Sequence, residues 1–596
     1  MKKYSKLTLR YLMAAPILLL LISVANAKTN WIRIQTKNFT LVSDASESEV
    51  RKVALKLEQF RSALAVIFPK TRLDTPTPTT VLLFRSDEEF RPFKPRVKGK
   101  IQEEVGGYFL RRADVNYIVL AADNPAASTY EIIFHEYEHY VLHTNAQRLP
   151  VWLDEGLAEF FSSFEASDKE PKATLGDPIA RHVFYLRDQS FMPLKTLLTV
   201  DRKSPYYNEG RKAGTFYAES WGLVHYLMLA DEGKHLAQLQ QFINSLSEDR
   251  PIEELFRRAF QTDLKPLEDQ LKKYLSGRMF PVLNVGFTER LAVEKEMTTT
   301  NLPEAQTEYY LGDLFLKMNR TEDAEKRLKK SLALDPTLAS SEALLGTLTA
   351  EKTPDEARKL FESAINHDPK NYLAHYWLGR MFLRDKKYDE AIKSYQQSVS
   401  LRPDLAFTYT GLGYAYLDAG RTDDAFRAFN DGLRLNPKDE SFYHSLAYVS
   451  LQNGQGQLAV NYAVGYLHLQ GWQDEHAPYL ALVKYFGLRQ VHRELDAQKA
   501  LDEAIAQITN TAWPSPVFQY LKHSMTLTEL LARAGTDNDQ LTEAHAYAGL
   551  EFSLAGEREL ALEHLRWVRE KGNKNFVEYP LALAEIGRLE KDASSH

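Results

Sequence analysis

The rhythm of apolar and polar positions changes along this chain. Near its start, short blocks read as strands: Phe39-Thr40-Leu41-Val42 and Thr79-Thr80-Val81-Leu82-Leu83-Phe84. Between them, Val50, Val53, Ala54, Leu57, Phe60 and Leu64 recur at helical spacing, which predicts a helix over 47–68. The runs 108–110 and 117–120 flank a polar turn at 111–116, the pattern of a hairpin. Helical patterning dominates after that. The mixture predicts an α+β unit over residues 28–292.

From about Pro303 the texture becomes helix upon helix, with a repeat. Pro336, Pro369, Pro403 and Pro437 are spaced 33, 34 and 34 residues apart. Gly312, Gly346, Gly379 and Gly413 precede them, and Ala324, Ala357, Ala391 and Ala425 each stand 12 residues before a proline. Phe361, Tyr395 and Phe429 share one place in successive units. Small residues let two antiparallel helices pack closely, and aromatic side chains fill the gap to the next pair. The period resembles the tetratricopeptide (TPR) repeat, which implies an all-α superhelix over 303–471. Residues 472–596 stay helical but drift from the register, as a capping region does. Arg380, Arg384 and Tyr414 are candidates for the groove, where a protein partner would dock.

The first 27 residues have a different character. Lys2, Lys3, Lys6 and Arg10 precede an apolar run from Tyr11 to Ala25, and Ala25-Asn26-Ala27 offers a small-residue cleavage site. This is the layout of a secretory signal peptide, so residues 1–27 are expected to be removed, taking four positive charges with them. The run is shorter than the roughly 20 residues that span a bilayer, so no stable membrane span is expected after cleavage. The expected location is outside the cytoplasm, periplasmic or secreted. A net charge of -6 leaves no positive excess for nucleic acid. The absence of cysteine excludes a thiol nucleophile and thiolate metal ligands.

Metal chemistry comes instead from His135-Glu136-Tyr137-Glu138-His139. Ser128 and Glu131 have capping-box spacing, so the motif is expected early in a helix. Residues four apart share a helix face, so both imidazoles can reach one ion. Glu136 can then approach a metal-bound water as general base. His143 lies about 12 Å along the axis from His135, too far to share that ion. After Pro150 comes Trp152-Leu153-Asp154-Glu155-Gly156-Leu157-Ala158-Glu159-Phe160, with Glu155 16 residues beyond His139. A second helix there, folded back beside the first, can present a carboxylate as third ligand. Spacing leaves Glu155 and Glu159 both open for that place.

The pair HEYEH and WLDEGLAEF resembles the gluzincin zinc peptidases. With the opening 31–39 and the later Tyr217-Ala218-Glu219-Ser220-Trp221, it is similar to the bacterial peptidase-MA-like domain, over about residues 31–275. The resemblance implies a zincin-like α+β fold and one Zn2+ per chain held by His135, His139 and Glu155. It makes Glu136 the base, Glu159 an acid behind the ligands and Tyr217 the oxyanion donor, with His225, Tyr206 and Tyr207 as alternatives. The 15-residue spacer is shorter than in the aminopeptidase branch, whose amine-binding motif is missing. The metzincin pattern fails at Leu142 and Asn145.

The expected function is an exported zinc metallopeptidase acting on a protein or peptide, with the TPR half docking a partner or substrate. The strand 116–122 is the candidate sheet edge for an extended peptide. The alternatives are a periplasmic TPR scaffold with a structural or vestigial zinc domain, and a zinc hydrolase of non-peptide amides or esters.

Overall fold

The computed structural model describes residues 30–592 apart from 69–72, 74–76, 124–126, 146–148, 168–171, 189–190, 209, 247, 249, 278, 287–295 and 509–511. The expected signal peptide lies outside the described residues, and no described helix is long and apolar enough to cross a membrane.

The first half is built on a six-stranded sheet. Its strands are β1 (Ile32–Gln35), β2 (Phe39–Ser43), β3 (Thr79–Phe84), β4 (Gly107–Leu110), β5 (Asn116–Ala121) and β6 (Thr298–Asn301). They lie in the order β6-β1-β2-β3-β5-β4. β2, β3 and β5 run parallel, and the other neighbours pair antiparallel. The hairpin expected around residues 111–116 is β4 and β5, with Tyr108 opposite Val119. β5 itself is interior, and all six of its residues are buried. The sheet edge is β4, one strand further out than the sequence suggested. The sequence assigned 298–301 to neither unit, yet β6 pairs with β1 from Ile32↔Asn301 to Gln35↔Thr298.

Both faces of the sheet are covered, which is why β3 and β5 read as continuous apolar runs rather than alternating ones. Val81, Leu83, Ile118 and Leu120 face the helix α1 (Glu47–Ile67) together with Phe60 and Leu64. Ser46 and Glu49 close a capping box at the start of that helix. Leu82, Phe84, Tyr117 and Val119 face the opposite way, onto Leu311, Leu314 and Phe315.

Those last three residues belong to the repeat array. Its first helix pair is Glu304–Lys317 and Thr321–Leu334, so the array starts directly on the sheet. The Phe93 and Phe315 rings stack with centroids 4.8 Å apart. The Tyr117 hydroxyl donates to Asp313 at 2.6 Å, Arg112 Nε donates to the Lys317 carbonyl at 2.8 Å, and Lys317 Nζ meets Asp114 at 2.5 Å. From there helices pair antiparallel to Asp592. A Cβ on Gly413 would lie 2.3 Å from the Phe429 ring, so this position takes only glycine if the aromatic is to seat. The last helix, Glu578–Asp592, returns to Glu440–Gln452, where Arg588 Nη1 donates to the Gln452 carbonyl at 2.8 Å.

The stack at Phe315 ties the two halves into one core. Phe315→Ala is expected to cost about 3–5 kcal/mol, the usual loss for a buried aromatic. Chemical denaturation should show the first half and the array losing stability together.

Candidate metal centre

Two consecutive helices carry the candidate ligands. They are α2 (Ala127–Asn145) and α3 (Val151–Ser162). α2 already includes Ala127, so Ser128 lies inside it rather than capping it; the side chains of Ser128 and His143 lie outside the described ones. α3 folds back against α2, and nearly every residue of α3 is buried. It lies between α2 and a further helix, α4 (Gly210–Leu229). Gly156 is the closest point of that second contact. A Cβ there would stand 2.5 Å from the Ser220 carbonyl oxygen and 2.6 Å from Val224 Cγ2. The missing side chain brings two helix backbones together, one residue from Glu155 and opposite the helix that carries Tyr217.

The result is a triangle of donor atoms. His135 Nε2 and His139 Nε2 are 3.1 Å apart, and Glu155 Oε2 is 3.5 Å from the first and 3.4 Å from the second. Ligands about 2.0–2.1 Å from a tetrahedral zinc stand about 3.3 Å from one another, so the triangle has the size that ion requires. Among the described residues, His135, His139 and Glu155 form a group able to hold a metal. Glu159 is placed elsewhere. Its Oε1 is 3.7 Å from Nδ1 of His135, on the far side of that ring, and its Oε2 accepts from His182 and Arg181 at 2.9 and 2.8 Å.

Behind the other imidazole stands Asp154, whose Oδ1 is 3.2 Å from His139 Nδ1. Its second oxygen accepts from Arg202 Nη2 at 2.9 Å. An imidazole nitrogen that faces a carboxylate keeps its proton, which leaves the opposite nitrogen's lone pair for a cation. His139 is therefore backed for binding through Nε2, while behind His135 the Glu159 carboxylate stands at 3.7 Å, beyond hydrogen-bond reach. Burial opposes ionisation of His139, but the Asp154 and Glu155 carboxylates outweigh it and hold its pKa well above the ordinary value. Burial opposes ionisation of Glu155 too, and the two imidazoles outweigh it, holding this carboxyl down. Neighbouring Glu138 is fully buried, and burial pushes it well up.

Two tyrosines complete the surround. Tyr207 donates to Glu155 Oε1 at 2.9 Å, leaving Oε2 to face the imidazoles. Tyr217 shares a hydrogen bond with Tyr207; burial, and then the Glu155 charge, push its hydroxyl far up, so it stays a proton donor. Two cavities meet here. One of about 300 Å³ is lined by His135, Glu136, His139, Glu155, Tyr207 and Tyr217, with Phe109, Arg111, Tyr140 and Arg202 around it. One of about 430 Å³ includes His135, Glu136, Glu159, Arg181, His182 and Tyr217. Glu136 and Tyr217 therefore line both.

The structure thus gathers His135, Glu136, His139, Glu155 and Tyr217 at one place and puts Glu159 behind His135. Of the alternative donors, Tyr207 is at the site. His225 is buried between Tyr274 and the Gly176 carbonyl, 2.8 Å from each, and Tyr206 lines neither cavity. Sequence reasoning missed Asp154, although it stands directly before Glu155 in the motif. It also missed His182 and Arg181, which no spacing rule connects to Glu159. In the array, Arg380, Arg384 and Tyr414 line one cavity of about 710 Å³ with Tyr376, Trp377 and Tyr395.

Comparison with known proteins identifies the array first. Residues 348–406 and 410–467 match the tetratricopeptide repeat, so this part of the chain is a TPR superhelix, a type of surface that suits protein–protein interaction. Residues 130–253, which contain the donor triangle, match the family described as "Protein of unknown function (DUF1570)". No curated protein matches the chain. Among solved structures, pilF of Pseudomonas aeruginosa is similar at 20% identity, covering 37% of this chain and 98% of that one, with a TM-score of 0.31. YrrB, described as a TPR protein with an unusual peptide-binding site, is 13% identical, over 33% of this chain and 98% of that one, with a TM-score of 0.30. MamA of Desulfovibrio magneticus RS-1 is 19% identical, over 29% of this chain and 99% of that one, with a TM-score of 0.26.

The close approach at Gly156 is directly testable. Gly156→Ala is expected to force α3 and α4 apart and cost about 1–3 kcal/mol, as overpacking does. Urea unfolding checks the cost. A neutral result would mean that the helices separate freely and that glycine is not what sets their distance.

Proposed function

We propose that this chain is an exported zinc-dependent peptidase of gluzincin type, whose TPR array holds a protein partner or substrate. The observation that carries the reading is the approach of two imidazole nitrogens and one carboxylate oxygen to 3.1–3.5 Å of each other, with Glu136 lining the cavities on either side. Zinc bound there would supply a Lewis acid that polarises a peptide carbonyl and lowers the pKa of water.

The chain's own residues divide the remaining work. His135, His139 and Glu155 would hold the ion, and Asp154, hydrogen-bonded to His139 Nδ1, would keep that imidazole in the tautomer that binding needs. Glu136 takes the proton of the attacking water and passes it to the leaving amine. Tyr217, kept protonated by burial and by the Glu155 charge, donates to the oxyanion that develops on the carbonyl. Phe109, on the sheet-edge strand β4, lines the smaller cavity, so an extended peptide can add beside β4 and reach the ligands. The aromatic cavity at Tyr376, Trp377 and Tyr395 is the partner's place on the array.

The purified mature chain is expected to contain about one zinc, read by elemental analysis. Glu136→Gln should keep the metal and lose about 10²–10⁴-fold in peptide hydrolysis. His139→Ala should lose both metal and activity. Tyr217→Phe should lower kcat by about 10²–10³ with the metal retained. Undiminished cleavage by Glu136→Gln would remove the assigned base. Stoichiometric zinc without cleavage of any peptide would point to the scaffold alternative.

A further inference from the structure

One wall of the smaller cavity has no part in the chemistry above. Arg111 follows the edge strand β4 and lines that cavity with Glu136, Glu155 and Tyr217. Its guanidinium lies 5.4 Å from the centre of the Tyr140 ring, which lines the same cavity. The cavity's other arginine, Arg202, is committed to Asp154 at 2.9 Å. For Arg111 no carboxylate partner occurs among the described residues.

Within the described residues, then, Arg202 is matched by Asp154 and Arg111 by no carboxylate, so this wall of the cavity carries an excess of positive charge. The larger cavity shows no such excess. Its arginine, Arg181, is already matched by Glu159 at 2.8 Å and Glu131 at 3.5 Å.

We propose that this wall is a carboxylate subsite, in which Arg111 receives an anionic group of the substrate to one side of the scissile bond. The inference rests on the peptidase reading and gives it a substrate class: peptides bearing a carboxylate on the Arg111 side, from an acidic side chain or from the chain's C-terminus. A guanidinium presents a planar fork that matches a carboxylate with two parallel hydrogen bonds. An aromatic face beneath it limits its rotation. A cleft partly closed to water strengthens the attraction.

The test uses the full mature chain, zinc-loaded, with two pairs of internally quenched peptides. One pair differs by Glu against Gln beside the cleaved bond, and the other by a free C-terminal carboxylate against its amide. In one of the pairs kcat/KM should favour the acid by about tenfold or more, chiefly through KM. The pair that shows it identifies the source of the carboxylate. Arg111→Ala should bring that ratio close to one, and Arg111→Lys should restore part of it. Binding of the same peptides to Glu136→Gln, followed by fluorescence anisotropy, should show the same preference and its loss with Arg111→Ala. Ratios near one in both pairs, or a preference that survives Arg111→Ala, would overturn the subsite. If the wild type cleaves nothing, the peptidase reading fails, and the anisotropy measurement still decides the subsite.

Discussion

Everything at the candidate centre depends on how closely α3 can lie to its neighbours. The helix is buried on nearly all sides, with α2 on one flank and α4 on another. Its single glycine sits where the Ser220 carbonyl would strike a side chain. Because that contact is backbone against backbone, it fixes the position of α3 more firmly than interdigitating side chains would. Glu155 then meets the two imidazoles, Asp154 and Glu159 reach the backs of those rings, and α4 presents Tyr217 to the same cleft. Each of these placements follows from one short interhelical distance.

The carboxylates around the centre act as a graded set. Glu155 is held ionised by the imidazoles it faces, Asp154 and Glu159 are each matched by an arginine, and Glu138 is buried and pushed toward its neutral form. Several acids within a few ångströms would repel one another if all were charged without partners. Here the charged ones are each bound to a cation or an imidazole. That arrangement suits a divalent ion, because Asp154 holds the outer nitrogen of His139 while Glu155 faces both imidazoles.

The repeat array is integral to the first half of the chain. Its first helix pair covers the sheet face opposite α1, through Phe315 on Phe93 and Tyr117 on Asp313. A sheet with parallel central strands needs both faces covered, and here the second cover is a repeat unit. The same docking ties the hairpin turn to the first repeat, where Lys317 Nζ pairs with Asp114 and Arg112 Nε donates to the Lys317 carbonyl. The two halves therefore share a core.

The amino-acid sequence alone determined the periodic features. The helix over 47–68, the hairpin, the 34-residue repeat and the four-residue spacing of His135 and His139 are local patterns, set by backbone geometry within a few residues. They are legible because one helix turn or one strand pleat needs no distant partner. The choice between Glu155 and Glu159 was not legible, since both lie on one helix a turn apart and only the packing of α3 decides which faces the imidazoles. The interior position of β5, the recruitment of β6 and the pairing of Glu159 with His182 were also beyond the sequence. Each joins segments separated by tens to hundreds of residues, whose pairing depends on which buried surfaces fit together rather than on any spacing along the chain.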